Sequence, residues 1–303
     1  MLVLASTPRA QAVPHIANCP VFPRGEYYTR AVSHDQVDPH SDQYIRSMID
    51  AGNTAGFWAA ARPVEYVNLA TARTPKLGVR QKVSYHRFGE AFPWSPEFRI
   101  EPLSDAHAIV VDTQRCRLYE SYDTTYSDGV LAAYSGAVWD LRESFAPLPP
   151  GTPSSMASGL SLFAGMVKWE EVARGSIDHA LNWAPPAGTV ARWSFIRPAS
   201  DTDGIPFKGS SVYQLPYGAH LRLKASFDIS HFGPQSRAIA RAMQIYGIYL
   251  ADTGSSGNAI YNALPLDGTD RWDAADLAAL STITIDDFEV LRLAPAQRVP
   301  GHD

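Results

Sequence analysis

The sequence predicts a β-rich α+β domain, with packed antiparallel sheets of sandwich type and a few peripheral helices. Three observations lead there. Only 19% of the 303 residues are charged while Gly, Pro, Tyr and Trp are plentiful, a mix that suits loop-rich β proteins better than helical bundles. Several short segments alternate apolar with polar side chains between turn-forming residues, the pattern of strands that bury one face. Third, 221–227 alternates, Pro234 suits a first helical position, Ile239, Ala242, Met243 and Tyr246 share a helical stripe, and 248–251 is apolar again after Gly247. That unit reads as strand, helix, strand. It places Arg222 and Lys224 on one strand face and Asp252 at the end of the second strand, before a turn-rich 252–257.

In chain order, 1–18 reads as an export remnant or a disordered tail. Residues 1–12 end in an Ala-x-Ala pattern like a signal-peptidase site, although the apolar run before it is short; a tail of small residues would look the same. A single domain is expected over 19–294, followed by a loose Pro- and Gly-containing tail over 295–303. Residues 19–37 read as an extended arm pinned by Phe22, Tyr27 and Tyr28. The spacing of Asp38, His40 and Asp42 has the look of metal ligands, but a helix start accounts for Asp38, Ser41 and Asp42 more simply, because their oxygens satisfy free amides there. Tyr44, Ile45, Met48 and Ile49 then form the buried stripe of that helix, which stops near Gly52. From 56 to 103 the aromatics Phe57, Trp58, Tyr66, Tyr85, Phe88, Phe92, Trp94 and Phe98 sit among short strands and loops, either buried or as stacking platforms for sugars.

Residues 107–112 and 116–122 alternate around a polar turn and predict a β-hairpin. With Thr113 and Gln114 as loop residues, Val111 would face Cys116, Ile109 would face Leu118, and His107 would face Glu120. An imidazole held by a carboxylate can serve acid/base chemistry or ligate a metal; the alternative is a structural ion pair at a strand end. Asp128 and Gly129 suit a second hairpin tip, leading into a strand over 130–141 that carries Trp139 and places Ala137 beside Glu120, with small-residue space for a ligand. Asp140 would point to the other face. The Pro- and Ser-rich 145–158 resembles a domain boundary, but the meander before it needs a partner layer, so one domain is retained. A helix over 166–174 stopped by Gly175, a strand over 177–183 that includes His179, and further strands over 193–198, 258–264 and 288–293 complete the outline. Asp273 is the expected cap of a helix over 274–280.

Net charge is −5 and no Lys/Arg run is present, so no nucleic-acid partner is expected. No stretch approaches the roughly 20 apolar residues of a membrane helix, so no membrane partner is expected. Cys19 and Cys116 are compatible with one disulfide or with two buried thiols, and their wide separation is not a zinc motif. Phosphate-binding glycine loops, the Gly-x-Ser-x-Gly elbow and the His-Glu-x-x-His helix are missing from the sequence. No cofactor and no metal are assigned.

The segments 159–181, 221–230 and 251–255, taken with 105–112 and 271–273, resemble a family of exported proteins to which no activity is attached here. The resemblance spans roughly 19–293. It implies that Cys19 and Cys116 pair and that the chain is exported, to the periplasm or the exterior. His107, Glu120, His179, Arg222, Lys224 and Asp252 are the matching ionisable positions, without roles; 195–199 is less histidine-rich than the family pattern.

The functional expectation is an exported carbohydrate-active enzyme, a glycoside hydrolase or polysaccharide lyase acting on a polysaccharide or oligosaccharide. Its catalytic candidates are Glu120, Asp252, His107 and His179, because glycosidases need two carboxyls about one bond. Arg222, Lys224, Trp139 and Arg271 are the substrate-binding candidates, the cations for acidic or hydroxyl-rich groups. The alternatives are a non-catalytic carbohydrate-binding module and a structural exported domain.

Overall fold

Alternation along Ala108–Asp112 and Arg117–Tyr122 produces the predicted hairpin with a displaced register. Val111 pairs with Leu118 and Asp112 with Arg117, so 113–116 form a longer loop than expected. Asp112 explains the length: its Oδ1 accepts the amides of Gln114 and Arg115, and Cys116 adopts a left-handed φ of 52°. The shift is by two residues, so each side chain keeps its face. Glu120 nevertheless lies opposite Ile109, and the expected His107–Glu120 cross-strand pair does not form.

The computed structural model describes residues 15–23, 25–83, 88–255 and 257–302; Tyr85 and the Ala-x-Ala pattern lie outside them. Among the described residues, strands outweigh helices and most pairings are antiparallel. One sheet runs in the order Ser135–Asp140, Arg117–Tyr122, Ala108–Asp112, Val67–Ala70, the last pair parallel. Ala137 faces Glu120, as predicted, but the strand expected over 130–141 is divided. Val130–Ala133 pairs with Thr125–Ser127 in a separate small sheet, across a tip formed by Asp128 and Gly129 at φ 51° and 76°, the conformation that a two-residue hairpin loop requires. Ser135–Asp140 alone joins the sheet of Arg117–Tyr122.

The larger, six-stranded sheet runs Phe288–Val290, His220–Leu223, Ile248–Leu250, Leu181–Ala184, Asn258–Ile260, Phe57–Ala59. Its centre is the strand–helix–strand unit foreseen in the sequence. The helix Pro234–Ile245 opens with Pro234 after Gly233, and the chain turns at Gly247, φ 77°, to bring Ile248–Leu250 back antiparallel to His220–Leu223. The first strand is shorter than predicted: it ends at Leu223, and the Phe227 amide bonds to the Lys224 carbonyl in a turn. The strand expected over 177–183 is likewise confined to Leu181–Ala184, leaving His179 in the connection before it.

Three apolar clusters define the layers. Leu221, Ile248 and Leu250 pack with Ile239 and Met243 of the helix on one face of the large sheet. On its other face Tyr249 and Ala251 meet Ile109, Val111 and Leu118 of the smaller sheet, with Phe22, Tyr28 and Phe163 filling between. The far face of the smaller sheet, with Val110 and Tyr119, is covered by Phe92, Trp94 and Leu131. Both sheets are thus buried on two sides, and the aromatics Phe57, Phe92 and Trp94 are core residues.

Several local expectations are corrected. The helix Ser41–Asp50 has no side-chain cap at His40; Ser41 Oγ accepts the Val290 amide and Asp38 accepts those of His40 and Leu293, so these oxygens fasten neighbouring chain. Asp273 does cap its helix, accepting the Ala275 and Asp276 amides. In the tail, Gln297–Arg298 pairs with Ser194–Phe195 and His302 stacks on Trp193, so the end of the chain is tied down. No helix among the described residues is long and apolar enough to cross a membrane.

Cys19 and Cys116 form a disulfide that ties the arm to the hairpin loop across 97 positions. The long closed loop makes it a strong restraint on the unfolded chain. Cys19→Ala/Cys116→Ala is expected to lower unfolding free energy by about 2–5 kcal/mol, read as a lower urea midpoint.

Candidate functional site

Where the two sheets part at one end, an open cleft of about 1030 Å³ remains, large for a small-molecule site. Its walls come from strand ends and loops. The smaller sheet brings Asp105, His107, Tyr122, Asp123 and Tyr134; the 150–157 segment, the 201–203 loop and the end of the Ile248–Leu250 strand bring Ser155, Asp201, Asp203, Asp252 and Thr253. Five aspartates therefore line one hollow, with Tyr122 and Tyr134 meeting edge to face at 5.9 Å on its rim. Trp193 also lines it, but one ring face is covered by His302 at 3.7 Å, so it is not an open stacking platform.

Asp252 is the most perturbed of these acids. Burial pushes its carboxyl up to about 7, aided by the Asp203 charge and opposed by the Ala157 and Thr253 amides that it accepts at 2.9 and 2.8 Å. Burial also raises Asp201 to about 6. Thr253 links two of the carboxyls: its amide donates to Asp252 and its hydroxyl to Asp203 Oδ2.

His107 is buried in the cleft wall between acceptors. Its Nδ1 lies 2.8 Å from Glu101 Oε2 and 3.3 Å from Glu65 Oε1, and its Nε2 lies 3.2 Å from the Ser155 carbonyl oxygen. Burial alone would lower its pKa, but the two carboxylates raise it well above the usual imidazole value. Glu65 and Glu101 were invisible in the sequence as site residues: Glu65 stands 42 positions from His107, and Glu101, six positions before it, lies in a loop without a motif.

Glu120 behaves differently from the expectation. Its Oε1 accepts Ser161 Oγ and the Phe163 amide, at 2.7 and 2.8 Å, and its Oε2 accepts Ser155 Oγ and the Leu162 amide, at 2.8 and 2.9 Å. It is fully enclosed, and burial raises its pKa despite these four bonds. The space beside Ala137 that was open to a ligand in the sequence reading is filled by this 155–163 segment.

The other candidates are dispersed. His179 is fully buried against Glu171 and the Ala180 carbonyl, at 3.1 and 2.8 Å. Arg222 is spent on Glu289 and on the Val32 and Asp35 carbonyls. Lys224 donates to the Asp286 carbonyl, Arg271 pairs with Asp267 on the surface, and Trp139 lies in the core beside Phe145. Of the eight candidates, the cleft gathers Asp252 and His107. Asp203, Asp201, Asp105, Tyr122 and Tyr134 are the cleft residues that sequence reasoning did not select; the one signal was acids and hydroxyls clustered just beyond strand ends.

Comparison of the chain with protein-family models, with curated proteins and with solved structures finds no match.

Two outcomes follow from these environments. Glu120→Ala leaves two hydroxyls and two amides without their acceptor and is expected to cost about 3–5 kcal/mol in chemical unfolding. For Asp252 the folded value of about 7 exceeds the ordinary 3.8, so the folded chain holds this proton more tightly and loses stability as pH rises through that window. Asp252→Asn removes that loss, and the variant's advantage over the wild type should grow between about pH 4 and 7, by up to about 4 kcal/mol, in denaturant titrations at stepped pH.

Proposed function

We propose that the protein is an exported glycoside hydrolase that cleaves a neutral glycan in this cleft, with Asp252 as proton donor and Asp203 as the second carboxyl. The observation that carries the reading is the Asp252–Thr253–Asp203 linkage, two carboxyls held by one residue in an open, polar hollow. Glycoside hydrolysis needs one acid to protonate the leaving oxygen and a second carboxyl to assist water or form an intermediate. An acid that keeps its proton near neutrality fits the first role, and the raised Asp252 has that property. Sugars offer hydroxyls to the aspartates and an apolar ring face to Tyr122 or Tyr134.

Within the carbohydrate-active class, the charge of the cleft favours hydrolysis over elimination. A lyase acting on an acidic polymer needs cations to neutralise the substrate carboxylate. The lining has five aspartates, and Arg222 and Lys224 are committed elsewhere. The disulfide fits an oxidising compartment, which supports export. A carbohydrate-binding module is the second reading, favoured by the polar cleft without any catalytic step.

Incubation with a panel of neutral polysaccharides, following reducing ends, tests the proposal. Activity should fall about tenfold per pH unit above about 7 as Asp252 loses its proton, and Asp252→Asn and Asp203→Asn should each reduce it at least about 100-fold with unchanged circular dichroism. Retained glycan binding without any reducing-end release would establish the module instead, and full activity in both variants would remove the assignment of these residues.

A further inference from the structure

Behind the cleft wall, Glu65, Glu101 and His107 are 7%, 6% and 4% exposed, and each turns one ligand-type atom into a common space, all within 4.8 Å of one another. We propose that this cluster binds a divalent transition-metal ion of the Zn²⁺ or Mn²⁺ type, held by one imidazole nitrogen and two carboxylates. The ion would act as a brace, separate from the sugar chemistry proposed for the aspartates.

Four observations support the site. Donor atoms that share an ion at about 2.0–2.2 Å, in tetrahedral or octahedral geometry, stand about 2.8–3.6 Å from each other. Nδ1 of His107 lies 2.8 Å from Glu101 Oε2 and 3.3 Å from Glu65 Oε1, within that spacing. The opposite nitrogen, Nε2, faces the Ser155 carbonyl at 3.2 Å and must carry a hydrogen to do so, which is the outer contact that commonly orients a ligating imidazole. Glu101 Oε2 is itself fixed by the His107 amide at 3.1 Å, so one ligand holds the next in place.

The fourth observation is independent of the cluster's composition. Glu65 Oε2 is buried without a hydrogen-bond partner among the described residues, although buried carboxylate oxygens are ordinarily satisfied. A bidentate or switched carboxylate would use that atom. Charge balance points the same way: two carboxylates and a neutral imidazole offset a dication, which takes the position of the proton that His107 otherwise holds between them. The mixed nitrogen and oxygen donors favour Zn²⁺ or Mn²⁺ over Ca²⁺ and Mg²⁺, which take oxygen alone. Because the donors are enclosed, the ion's role is to fasten the loops that carry Glu65 and Glu101 to the strand entering at Ala108.

The test uses the whole chain, stripped with EDTA and dialysed against Zn²⁺ or Mn²⁺ in turn. About one ion per chain should remain by elemental analysis, and the melting temperature should rise with ion concentration as linkage requires. X-ray absorption of the loaded wild type should show one imidazole with oxygen donors. Glu65→Gln should weaken binding at least about 100-fold, relative to the 10- to 100-fold typical of an outer contact. Failure of both ions to bind or to shift melting would overturn the site, as would a shell containing two or more imidazoles or none. Unchanged affinity in a folded Glu65→Gln would do the same; should that variant not fold, the wild-type absorption spectrum decides.

Discussion

Glu120 is the interaction on which the arrangement of the cleft depends. A carboxylate enclosed between two sheets is costly to bury, and it is tolerated here because four donors converge on it from the 155–163 segment. Two are hydroxyls and two are amides at the opening of the turn of helix Leu162–Gly165, where free N–H groups are in surplus. The bonds clamp that segment to the smaller sheet. From the same segment the Ser155 carbonyl meets His107 and the Ala157 amide meets Asp252, so the clamp also sets the positions of the two cleft groups.

The cleft inherits its character from this construction. One wall belongs to the smaller sheet, the other to strand ends of the larger one, and the 150–157 segment runs between them. Burial, aided by the Asp203 charge, raises Asp252, and the acids that face the hollow from both sides oppose anionic ligands. His107 contributes in another way. Locked among Glu65, Glu101 and Ser155, it is a fixed part of the wall rather than a mobile proton carrier.

The cations that alternate along the central strand show how a surface pattern can mislead. Arg222 does leave the core face, as alternation requires, but the neighbouring strand presents Glu289 and the arm presents two carbonyls within reach of its guanidinium. A cation so occupied is part of the fold. His179 repeats the lesson in the interior: burial beside Glu171, whose carboxyl is held near 2 against burial by His179 and Lys168, makes it a structural partner.

Local chemistry was sufficient for the β-rich class, the strand–helix–strand unit, the Asp128–Gly129 tip and the Asp273 cap, because turns, caps and alternation depend on neighbours a few residues away. It also placed Asp252 at a strand end. The sequence left the two cysteines open between a bridge and free thiols, and only the fold brings them together. Tertiary structure likewise decided the burial of Glu120, the use of 155–163 as its clamp, and the approach of Glu65 to Glu101 and His107. Each of those turns on contacts between distant segments, whose pairing is set by the packing of two sheets and leaves no periodic trace along the chain.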